Sequence, residues 1–177
     1  MQLETNRLIM RPFEESDAES LFLLDSNPDV MKYVGKVVST EVEQSRNMIA
    51  YIQKQYRENG IGRLAVIEKS TNVLIGWSGL KYLTEEINGI KNVYELGYRF
   101  LPEYWGKGYA TETGIAALDY AFNEINTDIV YALADIENAG SNNVLRKLGF
   151  EEQETFIYKG DPCYWYKLEK EQYKQNK

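Results

Sequence analysis

The chain has 177 residues, 44% of them apolar and 27% charged, which fits one globular domain around a single buried core. Its 27 acidic and 20 basic side chains give a net charge of −7, so nucleic-acid binding is not expected and a cationic partner would be attracted. With no histidine and one cysteine, Cys163, a disulfide framework is excluded and no metal site is expected.

The N-terminal "MQLETNRLIMRPFEESD" lacks the apolar run of a signal peptide, and no stretch reaches transmembrane length, so a cytoplasmic location without membrane contact is expected. "RLIMRPF" reads as a first strand ended by Pro12. Ser16 with Glu19 forms a capping-box pattern ahead of the helix "DAESLFLLD", and Thr40 with Glu43 forms another. The second helix runs through Met48, Ile49, Ile52 and Tyr56 and stops at Gly60.

The period then changes from helical to alternating. "GRLAVIEK", "VLIGWSGLKYL" and "VYELGYRF" read as three strands in an antiparallel meander, with Asn88-Gly89 as a turn signal before the third. A glycine-bearing loop, "LPEYWGKGYATE", opens into a helix with the apolar stripe Ile115, Leu118, Phe122 and Ile125. "DIVYALADI" follows as a buried strand, "SNNVLRKLGF" as a short helix stopped by Gly149, and two strands, "EEQETFIYK" and "CYWYKLE", close the chain. The expectation is one α+β domain over residues 1–170, with a mixed, mostly antiparallel sheet of six to seven strands flanked by four helices. The strands on either side of the glycine loop should be parallel. Residues 171–177 read as a frayed polar tail, and the aromatic C-terminal strands are the expected place for pairing between two copies.

A glycine loop entering a helix is suited to phosphate, because first-turn N–H groups are unsatisfied and glycine lets the backbone approach closely. The P-loop pattern Gly-x-x-x-x-Gly-Lys-Ser/Thr is absent. A dinucleotide fingerprint would need a third glycine where Thr111 stands. "WGKGYA" instead resembles the pyrophosphate loop of the GNAT acetyltransferases, Gln/Arg-x-x-Gly-x-Gly/Ala, with Gly108 and Ala110 in the small positions and Trp105 departing at the first. "ENAGSNNVLRKLGF" resembles the second GNAT signature, N-x-x-S-x-x-V-L-x-K-L-G-F. With "ELGYRFLPEYWGKGYATE", "LETNRLIMRPFEESDAESLF" and "NPDVMKYVG", it is similar to the branch acting on ribosomal-protein N-termini.

That resemblance implies the GNAT fold and an acetyl-CoA-dependent N-acetyltransferase that uses direct attack in a ternary complex. The implied acceptor is a ribosomal or other protein N-terminal α-amine. Polyamines and antibiotics remain alternatives, as does a non-catalytic acyl-CoA sensor. Phe100 and Leu101 would pair with the pantetheine arm. Gly106, Lys107, Gly108, Tyr109, Ala110 and Thr111 would offer backbone N–H groups to the pyrophosphate, with Asn138 on the arm and Asn143 and Lys147 nearer the nucleotide. Glu95 is the implied general base, set against its reading as a surface strand residue.

The tyrosine that many relatives use as acid is replaced by Leu145, so Ser141 is the candidate partner of the leaving sulfur, against a plain helix cap. Tyr33 and Trp77 are candidate acceptor-pocket residues, with Trp105 beside them. Cys163 reads as inert packing rather than an acylated nucleophile. The early acidic residues Glu14, Glu15, Asp17, Glu19, Asp25 and Asp29 read either as an attractor for a cationic amine or as a solvated helix face.

Overall fold

The computed structural model describes residues 1–175. Among them, eight strands form one sheet: β1 (Leu3–Glu4), β2 (Leu8–Arg11), β3 (Leu64–Glu68), β4 (Val73–Leu83), β5 (Val93–Phe100), β6 (Ile129–Asp135), β7 (Glu151–Tyr158) and β8 (Asp161–Glu169). Their order across the sheet is β1-β2-β3-β4-β5-β6-β8-β7. The helices are α1 (Ala18–Asp25), α2 (Pro28–Met31), α3 (Val42–Asn59), α4 (Tyr109–Asp119), α5 (Ala139–Lys147) and α6 (Lys170–Gln175). Beyond the seven strands and four helices read from the sequence lie β1, α2 and α6, all too short to show a period.

The expected meander is present, with β3, β4 and β5 joined antiparallel, and Asn88 and Gly89 both take positive φ in the turn before β5. The strand–helix–strand unit is parallel, but its ladder is brief. Only Tyr94↔Val130 and Glu95↔Tyr131 pair β5 with β6, although β5 continues to Phe100 and β6 to Asp135. Past that point the two central strands part.

Alternation along the strands sorts side chains into two layers. Leu80, Leu96, Val130, Ala132, Tyr166 and Leu168 pack with Leu118 and Phe122 of α4 and its extension and with Leu145 of α5. On the opposite face, Leu21, Leu24, Ile49 and Ile52 pack from α1 and α3 against Ala65, Ile67 and Leu74. Each fully buried aliphatic or aromatic side chain contributes roughly 1.5–3 kcal/mol, so the sheet centre is held firmly from both sides.

Neither expected capping pair, Ser16 with Glu19 or Thr40 with Glu43, makes the box; other residues one or two positions away do. Glu14 pairs with Asp17, and Glu41 with Gln44, whose side chain accepts the N–H of both Thr40 and Glu41. Asp17 is drawn inward by Arg11 at 2.7 and 2.8 Å, which starts the first helical turn early, as a 3-10 turn at Glu15–Asp17. Met48 and Ile115, counted among the apolar stripes, are 45% and 41% exposed and lie at the stripe margins. The segment read as a frayed tail begins as α6. Tyr173 is 7% exposed, its ring is 5.1 Å from Phe122, and its hydroxyl donates to Asp119. Asn176 and Lys177 of that tail lie outside the described residues. No helix among the described residues is long and apolar enough to cross a membrane.

Candidate active site

The parting of β5 from β6 leaves backbone without ladder partners in the middle of the sheet. The Leu101 N–H bonds Ile75 on β4 at 3.0 Å. Alternation therefore turns the Leu96 carbonyl, the Tyr98 N–H and carbonyl and the Phe100 N–H away from β4, into the gap past the Glu95↔Tyr131 pair, which itself engages the Leu96 N–H. An extended, amide-bearing ligand can take the vacant ladder positions, as an added strand would. Of the two residues expected to meet the pantetheine arm, Leu101 thus has its N–H engaged, and the Phe100 carbonyl accepts the Trp105 indole N–H at 2.7 Å. The gap-facing groups of Leu96 and Tyr98 lie outside the residues expected from the sequence, and strand alternation in "ELGYRFL" is the signal that points to them.

At the end of the gap lies the glycine loop. Gly106 and Gly108 take φ of 72° and 81°, a region other residues seldom adopt, and Gly108 is the N-cap of α4. Among the described residues no side chain caps that end, so the first-turn N–H groups of Tyr109, Ala110 and Thr111 have no side-chain cap, with the positive end of the helix dipole behind them. Arg7 braces the loop from the side. It donates to the Lys107 carbonyl at 3.0 Å, pairs with Glu112 at 2.6 Å and lies 4.3 Å over the Tyr109 ring. Burial acts to raise the Glu112 carboxyl, but hydrogen bonds from Thr5 and Arg7 bring it below its ordinary value. Lys107 lies with its ammonium 4.9 Å over Tyr104, and Trp105 holds the loop to the end of β5 by the indole bond just described.

Across the gap stands the N-terminus of α5. Its N-cap is Asn138, whose side-chain oxygen accepts the Ser141 N–H at 3.1 Å, so Ser141 is not itself the cap. The Tyr98 hydroxyl lies 3.1 Å from both the carbonyl and the Oγ of Ser141, tying β5 to α5 over the gap. Burial pushes the Tyr98 hydroxyl well above its ordinary range, against the Ser141 hydrogen bond, so it remains a donor at neutral pH. The position of the missing tyrosine, Leu145, is 1% exposed and packed in the core. Asn143 and Lys147 are exposed on α5, apart from this cluster. Their neighbour Asn142 is 2% exposed, donates to the Asp135 carbonyl at 3.0 Å and accepts from Tyr166 at 2.9 Å, securing the end of β6.

Glu95 projects to the other face of the sheet. It is no loose surface residue: its side chain is 12% exposed and bonded to Arg63 at 2.7 Å. Trp77 shares that face, between the guanidinium groups of Arg63 at 5.5 Å and Arg99 at 5.0 Å. Tyr33, on the segment after α2, is half-buried and lies under the Lys32 ammonium at 4.9 Å. Two of the early acidic residues serve the fold. Asp17 holds Arg11 and Asp25 holds Arg99, burial raising the Asp25 carboxyl more than Arg99 lowers it. Cys163 is 4% exposed, and burial, with Asp135 and Asp161 nearby, pushes its thiol up to about 11. A thiol so held is a poor nucleophile at neutral pH.

A gap of unpaired peptide groups running into a helix start without a side-chain cap is suited to an extended ligand that carries an anion. Residues 7–151 match the family model of the acetyltransferase (GNAT) domain, and the chain belongs to that family. The N-acetyltransferase YoaA of Bacillus subtilis strain 168, itself uncharacterised, is 32% identical over 151 residues, 85% of this chain and 83% of the relative. The spermidine N(1)-acetyltransferase of Escherichia coli K12 is 33% identical over 142 residues, 80% of this chain and 71% of the relative. The structure of a GNAT-family acetyltransferase from Bacillus anthracis matches with a TM-score of 0.81 at 30% identity, over 97% of this chain and 99% of that one. The protein is an N-acetyltransferase of the GNAT type, a family that uses acetyl-CoA.

Proposed function

We propose that this chain moves the acetyl group of acetyl-CoA to the primary amine of a cationic acceptor, by direct attack within a ternary complex. The observation that carries the reading is the gap between β5 and β6, which has Glu95 on one face and Ser141 with Tyr98 on the other. Acetyl-CoA supplies an activated thioester carbonyl. The N–H groups of residues 106–111 are suited to its pyrophosphate, and the gap-facing peptide groups of Leu96 and Tyr98 to its arm. Asn138 stands beside that arm, and Asn143 and Lys147 face its nucleotide end.

Glu95 takes the proton that the attacking amine gives up, through a bridging water, as the C–N bond forms and the C–S bond breaks. Ser141 offers its hydroxyl as a hydrogen bond to the departing thiolate, whose proton then comes from solvent. Trp77 and Tyr33 border the acceptor side. A polyamine acceptor is favoured by the relative named for spermidine and by the net charge of −7, which draws cations. The second reading, a protein N-terminal α-amine, rests on the similarity of the two motifs to the ribosomal-protein branch.

The test is thiol release from acetyl-CoA with polyamines, N-terminal peptides and aminoglycosides offered separately, using a Cys163→Ser chain to remove background. Turnover with polyamines supports the first reading, and turnover confined to peptides the second. Silence across the panel, with CoA bound, would leave a sensor as the better account.

A further inference from the structure

Arg63, just ahead of β3, is 9% exposed, and its side chain crosses β4 to reach β5. The path exists because Gly79 and Gly97 are register partners on those strands, which leaves a trough free of side chains on this face. The trough is filled tightly. A Cβ at Gly97 would stand 2.5 Å from Arg63 Nη2. At its end the guanidinium holds one residue twice. Nη1 donates to the Glu95 carbonyl at 2.7 Å and also to the Gly79 carbonyl, while Nη2 donates to Glu95 Oε2 at 2.7 Å. Glu95 is also the last residue of β5 paired with β6, so this grip falls where the gap begins.

We propose that Arg63 is the positioning residue of the acetyl-transfer site, a buried fork seated on Gly97 that fixes both the backbone and the carboxylate of Glu95. This rests on the reading of Glu95 as general base. The fork engages Oε2 and leaves Oε1 for the amine or its bridging water. Two N–H donors in a fixed fork, one for the carbonyl and one for the carboxylate, are what an arginine supplies and a lysine does not. Stability alone does not account for the pair, because a buried ion pair can usually be exchanged for apolar groups at little loss.

The experiment compares Glu95→Gln, Arg63→Lys and Gly97→Ala with the parent enzyme. It reads kcat by thiol release at saturating acetyl-CoA, CoA affinity by calorimetry, and folding by thermal melting. Arg63→Lys keeps a buried cation without the fork. Gly97→Ala keeps both charged groups and pushes the guanidinium off its seat. We expect Arg63→Lys and Gly97→Ala each to lower kcat by about 10- to 100-fold, with CoA affinity held and no further loss when combined with Glu95→Gln. Free guanidinium should restore part of kcat to Arg63→Ala. If Glu95→Gln keeps the parent kcat, the base assignment falls and the positioning role falls with it. If Glu95→Gln loses kcat while Arg63→Lys and Gly97→Ala keep theirs, the positioning role is overturned and the base stands. Losses of CoA affinity or of the melting transition that match the losses of activity would make Arg63 a structural residue only.

Discussion

The two sides of the proposed active site are built in different ways. The side proposed for coenzyme A is local and made of backbone: two left-handed glycines, a helix start without a side-chain cap and an unpaired strand edge, all within residues 96–111. The side proposed for the acceptor is made of side chains brought together from far apart in the chain. Glu95 meets Arg63 across 32 positions, and Arg99 meets Asp25 across 74. Backbone sites tolerate changes of side chain and fail when φ or charge is disturbed, whereas side-chain sites fail when one partner is lost.

The sharpest way to break the first side is Gly108→Glu, which forces a bulky, negative residue to φ of 81° at the N-terminal end of α4. CoA binding should vanish in calorimetry while the melting transition persists, and retained affinity would separate the loop from phosphate binding. Next in size is Tyr98→Phe, which frees Ser141 from its tether. One hydrogen bond is worth about 0.5–1.5 kcal/mol, so kcat should fall by about 3- to 10-fold, with CoA affinity little changed.

The smallest effect concerns stability at alkaline pH. The Cys163 thiol rises from 9.0 to about 11, and the Tyr56 hydroxyl rises from 10.0 to about 12, both chiefly through burial. Folded values above the unfolded ones mean that this contribution is complete below pH 9. It is lost as the pH rises through 11 for Cys163 and through 12 for Tyr56. Thermal melting should therefore be level through neutral pH and fall above about pH 9, and Cys163→Ala should delay the onset.

The same contrast decides what could be read in advance. Helix stripes, turn residues and the glycine loop are short-range patterns, so the α+β meander, the parallel unit and the glycine turn into α4 are legible from residue types and spacing. The resemblance of "WGKGYA" and "ENAGSNNVLRKLGF" to two acetyltransferase motifs supplied the chemistry that spacing alone left open. Arg63 was not legible, because nothing near "GIGRLAV" points to a partner 32 residues away. The glycine of "ELGY" could be noticed but not explained until Arg63 was found lying against it. Asn142 was passed over for its neighbours Asn138 and Asn143, since burial alone tells the three apart. Tyr173 reads as part of a polar tail because one aromatic among six polar residues carries no period.

The central claim is that a backbone cradle holds coenzyme A independently of a side-chain apparatus that activates the amine. Glu95→Gln tests it most directly, with CoA affinity and kcat measured on the same preparation. The account expects parent-like CoA affinity and a kcat lowered by about 100- to 10,000-fold. Unchanged kcat, or a loss of CoA affinity equal to the loss of kcat, would contradict it.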